Sequence, residues 1–362
     1  MTTRVFSTGN EALAEAAIRA GCRFYTSYPI TPQNEINEYM GRNLAAAGGV
    51  YIACETEIAG ISMVYGAACA GARAMTSSSG LGIALMQECL SAMAAAELPC
   101  VVVNISRGGP GVAGPGVFSA QSDYFQATRG GGNGDYHLIV LAPHTVQEMA
   151  ELTYLAFDLA DKHRNPVMIL ADGTLGQMAE ALDTALLPYV EPPMKEWAVT
   201  GARNRKRNVI IPVPGGRRFV RENRRFGWET PLIEEKYARM AYEEPRWEST
   251  GMEDAEFVLV AYGTSARVCA TAMEKARQGG IRVGMVRPIT LWPFPRRPLE
   301  EAAAKAKVFV SVEMSFGQMI DDVLLATGGR APVELLTIFP SKPFFSPTVV
   351  YDRLVALAQR RG

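Results

Sequence analysis

The feature that most restricts the fold of this chain is the alternation of short strand-like runs with longer segments rich in small residues. The runs at 22–27, 99–106, 138–142 and 166–171 are typical of buried strands, and the segment 145–162 is typical of a helix. Strands separated by helices predict a parallel sheet with helices on both faces. In such a sheet, ligands collect at the carboxyl ends of the strands. The predicted class is therefore α/β.

The alternation is interrupted once along the chain. Residues 183–250 are rich in proline and arginine, and the alternation returns at about residue 255. We therefore predict an α/β domain at 1–182, an irregular linker or excursion at 183–250 and a second α/β domain at 251–362. The arginines of the 200–226 segment favour a solvated surface loop, and docking of an acidic partner or of cofactor phosphates is the alternative.

Charge and hydropathy exclude several classes of protein. The 362 residues carry a formal net charge of -1, which gives no electrostatic reason to bind nucleic acid or a membrane. Residues 1–21 lack the apolar region of a signal peptide, and no stretch is long and apolar enough to span a bilayer. These features predict a cytoplasmic protein.

The cysteines and histidines are not spaced as metal ligands. With three histidines and no C-x-x-C pair, the chain is expected to hold no metal ion and no iron–sulfur cluster. The cysteines lie in apolar or small-residue surroundings and are expected to be buried structural thiols. The six are Cys22, Cys54, Cys69, Cys89, Cys100 and Cys269.

A carboxylate opens the helix that is predicted at 57–71. Glu57 follows directly after a short strand at 51–54, so it is expected at the carboxyl edge of the sheet. A catalytic role is one interpretation of this position. A negative charge that is merely stabilised by the helix dipole is the other, and the residues alone favour it.

Two further loops begin where predicted strands end. The run Arg107-Gly108-Gly109 follows a buried strand, so its arginine could bind a carboxylate while its glycines let a ligand approach the backbone. A glycine-rich turn with a surface arginine is an equal alternative. In the loop from Tyr28 to Pro32, Thr31 could present its hydroxyl to a ligand. The residues alone favour Thr31 as the cap of a helix whose first position is Pro32.

Three motifs, in this order, resemble one family closely. They are YPITPQNE at 28–35, ETEIAGISMVYGAACAGARAMTSSSGLG at 55–82 and NISRGGPG at 104–111. The chain resembles the α subunits of 2-oxoacid:ferredoxin oxidoreductases, and the resemblance covers residues 1–180 and 255–350. It implies the pyrimidine-binding domain of a thiamine-diphosphate enzyme, with a parallel sheet, followed by an α/β domain like the C-terminal domain of transketolase.

The resemblance implies roles for particular side chains. Glu57 matches the glutamate that hydrogen-bonds the aminopyrimidine ring nitrogen of the cofactor, and Thr31 and Arg107 match positions that contact the oxo and carboxylate groups of the substrate. All three are expected to be catalytic. The other implied contacts are Tyr28, Pro29, Ile30, Gly80 and Gly82 to the cofactor and Gly108 to the substrate.

The sequence lacks the diphosphate half of such a site. Thiamine-diphosphate enzymes commonly hold Mg²⁺ and the diphosphate with Gly-Asp-Gly followed by Asn, whereas this chain has only Ala171-Asp172-Gly173, which we interpret as a turn at a strand end. The family implies a β subunit that carries the diphosphate site, its Mg²⁺ and a 4Fe-4S cluster. It also implies γ and ferredoxin-like δ subunits, with ferredoxin and coenzyme A as co-reactants.

The resemblance implies a 2-oxoacid as substrate and favours one type. The runs SDYFQATRGGGNGDY at 122–136 and RNPVMILADGTLGQM at 164–178 are most similar to subunits for branched-chain substrates such as 3-methyl-2-oxobutanoate. The implied reaction is oxidative decarboxylation to an acyl-CoA and CO₂ with reduction of ferredoxin. The alternatives are 2-oxoglutarate and aromatic 2-oxoacids or arylglyoxylates. An alternative of another class is a non-catalytic module that regulates a complex.

Overall fold

The computed structural model describes residues 4–110, 118–199, 201, 212–213, 217–222, 225–229, 231–339 and 346–361, with side chains left out between 202 and 232. The arginine side chains that predicted a surface or docking role for the 200–226 segment lie outside the described residues.

The described chain contains seventeen strands and twelve α-helices. The strands are β1 (Arg4–Thr8), β2 (Phe24–Ser27), β3 (Val50–Ala53), β4 (Ala74–Ser78), β5 (Cys100–Ser106), β6 (Ile139–Leu141), β7 (Pro166–Asp172), β8 (Ala179–Asp183), β9 (Pro212–Val213), β10 (Arg217–Glu222), β11 (Arg225–Glu229), β12 (Trp247–Thr250), β13 (Phe257–Val260), β14 (Val283–Pro288), β15 (Thr290–Trp292), β16 (Val308–Glu313) and β17 (Val333–Thr337). The helices are α1 (Gly9–Arg19), α2 (Asn34–Asn43), α3 (Glu57–Cys69), α4 (Leu81–Ala95), α5 (Tyr124–Arg129), α6 (Val146–His163), α7 (Gly173–Gln177), α8 (Pro231–Glu243), α9 (Gly263–Gln278), α10 (Arg296–Ala302), α11 (Met319–Thr327) and α12 (Pro347–Arg361). Among these helices, none is long and apolar enough to cross a membrane.

Seven strands form the larger sheet, in the order β15-β6-β7-β5-β4-β2-β3. Its strands are parallel except for β15, which is antiparallel to β6. Every residue of β5 is buried, as expected for a strand with helices on both faces. Val102 packs with α3 and α4, and Val103 packs with α1, α2 and α6 on the opposite face. The predicted α/β class with a parallel sheet is confirmed.

Five strands form the second sheet, in the order β12-β14-β13-β16-β17, with β12 as the antiparallel strand. Helices α9 and α12 cover one face through residues such as Cys269 and Leu354. Helices α10 and α11 cover the other face through Leu299 and Val323, and this apolar cluster continues to α3 and α4 of the first sheet. One continuous apolar core therefore connects the two sheets.

The strand β15 also connects the two sheets, and we did not predict it from the sequence. The chain leaves β14 in the second sheet, and Thr290 and Trp292 then pair with Leu141 and Val140 of β6 in the first. The Trp292 ring stacks on His137 with 4.4 Å between the ring centroids. A short edge strand of this kind depends on the strand beside it, so its own sequence carries little signal.

The prediction of irregular structure throughout 183–250 is wrong for its second half. The strand β10 pairs antiparallel with β9 and β11, the helix α8 follows, and β12 pairs with β14. Met240 of α8 is buried in the core beneath the first sheet, and Tyr237 packs against the same core. The helix is therefore stabilised by tertiary packing of one face, which the proline- and arginine-rich composition obscured.

The prediction that Thr31 caps a helix beginning at Pro32 is also wrong. The helix α2 begins at Asn34 and the preceding Gln33 makes no capping hydrogen bond, while the Thr31–Pro32 peptide bond is cis. The side chain of Gln33 instead accepts a hydrogen bond from Ser77 of the neighbouring strand at 2.5 Å. Tertiary hydrogen bonds, rather than a local cap, therefore determine where this loop ends.

Candidate active site

Glu57 is buried at the first position of α3. Thr56 caps the helix, because its hydroxyl accepts a hydrogen bond from the backbone N–H of Ala59 at 3.1 Å. The Glu57 side chain is only 5% exposed and accepts a hydrogen bond from the hydroxyl of Ser78 at 3.2 Å. Thr56 thus supplies the cap of the helix, and Glu57 does not serve as the cap.

Gly82 lies directly against this carboxyl group. A Cβ atom at position 82 would overlap Glu57 Oε1 and the hydroxyl oxygen of Ser78. Only glycine therefore lets the first turn of α4 approach the carboxyl group this closely. Gly80, just before the helix, has a φ of +50°, in the left-handed region that favours glycine. The two glycines shape the space beside Glu57.

Residues 28–32 form a loop after β2. The side chains of Tyr28 and Pro29 are exposed, and those of Ile30 and Thr31 are half-buried. Three side chains hold the loop through its carbonyl oxygens: Asn10 Nδ2 donates to Pro32 at 2.8 Å, Gln33 Nε2 to Tyr28 at 3.3 Å and Arg107 Nη1 to Thr31 at 2.8 Å. The backbone of the loop is thus fixed from three sides.

Arg107 and Gly108 follow directly after β5. The side chain of Arg107 is half-buried, and one nitrogen of its guanidinium reaches the carbonyl of Thr31. Gly108 donates its backbone N–H to the carbonyl of Phe118 at 2.7 Å. That N–H is therefore already engaged within the chain and is not available to a substrate.

The loops that carry these residues lie side by side. The strand β4 lies between β2 and β5, and all three are parallel, so their carboxyl ends share one edge of the sheet. The chain continues from β2 to Thr31, from β4 to Gly80 and from β5 to Arg107. A Cβ atom at position 80 would lie 3.8 Å from two side-chain atoms of Arg107. The structure thus brings together candidates that are far apart in the sequence.

Two polar residues of this edge were not predicted from the sequence. Ser78 contacts Glu57, and the run TSSS at a strand end was a signal that could have indicated it. Asp123 accepts hydrogen bonds from Asn104 at 3.0 Å and from Ser106 at 3.1 Å. Burial raises the pKa of the Asp123 carboxyl, and these hydrogen bonds oppose that rise. Nothing local in the sequence marks Asp123, because tertiary structure places it beside β5.

Asp172, in the near match to Gly-Asp-Gly, has its carboxylate engaged by protein groups. It accepts hydrogen bonds from the hydroxyl of Thr264 at 2.7 Å and its backbone N–H at 3.1 Å, and from the N–H of Leu175 at 3.2 Å. Burial raises the pKa of this carboxyl, and the hydrogen bonds from Thr264 oppose the rise. Asp172 thus joins the end of β7 to the start of α9, consistent with a structural turn.

One group of described side chains has the spacing of metal ligands, although the sequence suggested none. It consists of His163, Glu243 and Glu244. Lys162 contacts both carboxylates, at 2.9 and 2.6 Å, and Arg246 contacts Glu244 at 2.7 Å. A metal ion would have to displace these two cations. We therefore interpret the group as an ion-pair cluster that joins α6 to the end of α8.

Comparison with known proteins defines the class first. A family profile described as "Pyruvate flavodoxin/ferredoxin oxidoreductase, thiamine diP-bdg" matches residues 15–223, more than half of the chain. A second, described as "Pyruvate:ferredoxin oxidoreductase core domain II", matches residues 255–339. The solved "Split gene transketolase, inactive beta4 tetramer" shares the fold, with a TM-score of 0.58 and 13% identity over 96% of this chain and 97% of that chain. The protein is therefore an α/β protein with a thiamine-diphosphate-binding domain.

Individual relatives define the family. The chain is 47% identical to "Ketoisovalerate oxidoreductase subunit VorB" of Methanothermobacter marburgensis over 91% of each chain. It is 36% identical to "2-oxoglutarate synthase subunit KorA" of Methanothermobacter thermautotrophicus over 93% of this chain and 94% of that one. This chain belongs to the 2-oxoacid:ferredoxin oxidoreductase family, as the sequence motifs predicted.

A solved member of the family has the same fold. It is the "2-oxoglutarate:ferredoxin oxidoreductase from Magnetococcus marinus with 2-oxoglutarate, coenzyme A and succinyl-CoA bound". The TM-score is 0.83 and the identity 26%, over 98% of this chain. The match spans 65% of the solved chain, so that chain contains a substantial part without a counterpart here.

Proposed function

We propose that this chain is the α subunit of a coenzyme A-dependent 2-oxoacid:ferredoxin oxidoreductase for branched-chain 2-oxoacids, above all 3-methyl-2-oxobutanoate. The observation that supports it best is the convergence of Glu57, Thr31 and Arg107 around one sheet edge of a thiamine-diphosphate-binding domain. The identity of 47% to a subunit named for ketoisovalerate, against 36% to one named for 2-oxoglutarate, supports the choice of substrate.

The residues beside Glu57 fit the pyrimidine half of the cofactor. Its buried carboxyl group can hold a proton at the pyrimidine ring nitrogen. Gly82 lets the first turn of α4 lie directly against that group, and Gly80 forms the turn before it. In this proposal, the backbone and side chains of Tyr28, Pro29 and Ile30 complete the contact. Bound thiamine diphosphate supplies the electron sink for decarboxylation.

Thr31, Arg107 and Gly108 are the proposed substrate contacts. Arginine offers several N–H groups in a planar fork, so it can bind the Thr31 carbonyl and a substrate carboxylate with different nitrogens. The Thr31 hydroxyl lies on the loop that this contact fixes, within reach of the neighbouring oxo group in our proposal. Thr31 and Arg107, which would bind the oxo and carboxylate groups of the substrate, are thus held together by a hydrogen bond.

A β subunit is the proposed source of the diphosphate site with its Mg²⁺ and a 4Fe-4S cluster. The surface beside Glu57 supports such a partner, because it exposes large apolar side chains. Ile58 is 53% exposed, Leu81 67% and Leu85 50%. Apolar side chains grouped at a surface mark protein interfaces. We further propose γ and ferredoxin-like δ subunits, with ferredoxin and coenzyme A as co-reactants, as the family implies.

We propose that no iron–sulfur cluster is bound by this chain itself. Cys22, Cys54, Cys100 and Cys269 are buried, and Cys69 and Cys89 are half-buried. Burial raises the pKa of Cys22 to about 12, and that of Cys89 to about 11. Cluster ligation requires thiolates, so such environments disfavour it.

We also propose that the chain divides into the domains 1–182 and 251–362, joined by 183–250. Apart from β15, which pairs with the first sheet, the strands of the two larger sheets follow this division, and the two family profiles support it, since one ends at 223 and the other begins at 255.

A panel of 2-oxoacids tests the proposed function. The chain, co-expressed and purified with its partner subunits, should reduce a viologen in a coenzyme A-dependent way, with the highest kcat/KM for 3-methyl-2-oxobutanoate. A higher kcat/KM for 2-oxoglutarate or an arylglyoxylate would contradict the proposed substrate but would still agree with the proposed type of reaction. A colourless chain that purifies alone, with no activity on any member of the panel, would instead favour the regulatory module.

Arg107→Lys is expected to lower kcat/KM by about ten- to a hundredfold for every accepted 2-oxoacid. A lysine ammonium lacks the planar fork that lets separate nitrogens of Arg107 bind the Thr31 carbonyl and a carboxylate, and a lost hydrogen bond to a charged group costs about 1.5–3 kcal/mol. Steady-state kinetics of the cofactor-saturated complex measure kcat/KM for each 2-oxoacid. The control is Arg42→Lys, on the exposed face of α2. Equal kcat/KM for Arg107→Lys and the control would contradict the carboxylate role.

A further inference from the structure

Asp123 lies where two loops of the candidate site meet. It directly precedes α5, and its carboxylate oxygen Oδ2 accepts hydrogen bonds from Asn104 Nδ2 at 3.0 Å and from the hydroxyl of Ser106 at 3.1 Å. Both donors are among the last three residues of β5, which ends immediately before Arg107. The carboxylate thus holds the strand end from which the Arg107 side chain extends.

The Gly80 turn lies near the same carboxylate. Burial raises the pKa of Asp123, and the backbone of Gly80 and the positive charge of Arg107 both oppose that rise. Asp123 therefore accepts two hydrogen bonds from β5 and lies close to the turn between β4 and α4.

The contacts continue from Arg107 to the third loop. Arg107 Nη1 donates to the carbonyl of Thr31 at 2.8 Å. Hydrogen bonds therefore hold the end of β5 to Asp123 on one side and Arg107 to the Thr31 loop on the other. The Asp123 carboxylate both holds the end of β5 in place and supplies a negative charge near the Arg107 guanidinium.

We propose that Asp123 is a positioning residue, which holds the end of β5, and with it Arg107, in the arrangement that binds the carboxylate of the substrate. The inference rests on the proposed function, since it assumes that Arg107 reads the carboxylate of a 2-oxoacid. Asp123 itself touches neither cofactor nor substrate in this role. It acts through the groups that it anchors.

The chemistry of the position requires an ionised carboxylate. Asn104 and Ser106 both donate to its oxygen Oδ2. The carbonyl oxygen of asparagine could accept both bonds, but it is neutral, and charge-assisted hydrogen bonds are about twice as strong as neutral ones. Asp123→Asn therefore keeps the volume, weakens the anchor and removes the negative charge near Arg107.

Binding of oxamate, an unreactive mimic of a 2-oxoacid, to the assembled and cofactor-saturated complex tests the proposal without relying on turnover. In isothermal titration, Asp123→Asn is expected to weaken oxamate binding by about tenfold or more, the effect of a lost hydrogen bond to a charged group. In kinetics, KM should rise while C2 proton exchange of the bound cofactor, which depends on Glu57, stays near the wild-type rate.

Asp322→Asn is the matched control. Asp322 is also a buried carboxylate that α5 contacts, since it accepts hydrogen bonds from Tyr124 at 2.6 Å and Arg129 at 2.9 Å. The Asp322→Asn complex should have a lower thermal stability and an unchanged affinity for oxamate. Unchanged affinity in Asp123→Asn, or an equal loss in both variants, would overturn the positioning role. A wild-type complex that binds oxamate and oxidises no 2-oxoacid would instead overturn the proposed function.

Discussion

Glu57→Gln is expected to slow C2 proton exchange of bound thiamine diphosphate by more than about a hundredfold, the scale of lost general acid–base catalysis. Glutamine fills the same buried space, and its carbonyl oxygen can still accept the hydrogen bond from Ser78. What it loses is the ability to share a proton with the pyrimidine ring nitrogen. Assembly and stability should therefore persist while activation of the cofactor fails.

The measurement is hydrogen–deuterium exchange at C2, followed by NMR in the assembled complex. Glu55→Gln is the matched control, because Glu55 is exposed and lies two positions before Glu57. It should exchange at the wild-type rate. If Glu57→Gln exchanges as fast as this control, the carboxyl group is not the proton partner, and the structural interpretation of Glu57 would replace ours.

Glu313→Ala is expected to lower the free energy of unfolding by more than about 3 kcal/mol, because several buried donors would lose their acceptor at once. Glu313 is the last residue of β16 and is 1% exposed, and its carboxylate lies at the start of α11. A carboxylate there satisfies backbone N–H groups and complements the helix dipole. The donors are the hydroxyls of Ser311 and Ser315 and the backbone N–H groups of Gln318, Met319 and Ile320, at 2.8 to 3.0 Å from the carboxylate oxygens.

Denaturant unfolding of the full chain measures this loss. Glu334→Ala is a control from the next strand of the same sheet, where the half-exposed Glu334 pairs with Arg353. Surface ion pairs contribute about 1 kcal/mol or less, so the control should shift the midpoint only slightly. Equal shifts for the two variants would show that the five donors find water or other acceptors when Glu313 is removed.

Local patterns were sufficient wherever one segment contained the whole signal. The buried run at 99–106 predicted the strand that the structure places at Cys100–Ser106, and Glu57 opens the helix Glu57–Cys69 as expected. The motif order identified the family, and the resemblance, rather than a local pattern, implied the roles of Glu57, Thr31 and Arg107. For the strand and the helix, the period of apolar residues is local information.

Local patterns failed where distant segments compete for the same backbone. Thr31 and Pro32 had the pattern of a helix start, yet Asn10, Gln33 and Arg107 hold this loop through its carbonyls, and α2 begins later. The helix α8 was missed for a related reason. Its stability depends on packing against the first sheet, which composition does not reveal.

The sequence by itself determined the α/β class, the two zones of alternation, and the residue types that stand at the strand ends. Only the tertiary structure decided which strand ends are neighbours, that β15 crosses to the first sheet, and that Asp123 and Ser78 join the site. The physical reason is that strand pairing and buried hydrogen bonds are made between segments far apart in the chain. The identity of a donor's partner is a property of the packed molecule, whereas the periodicity that forms a strand or helix is a property of a few consecutive residues.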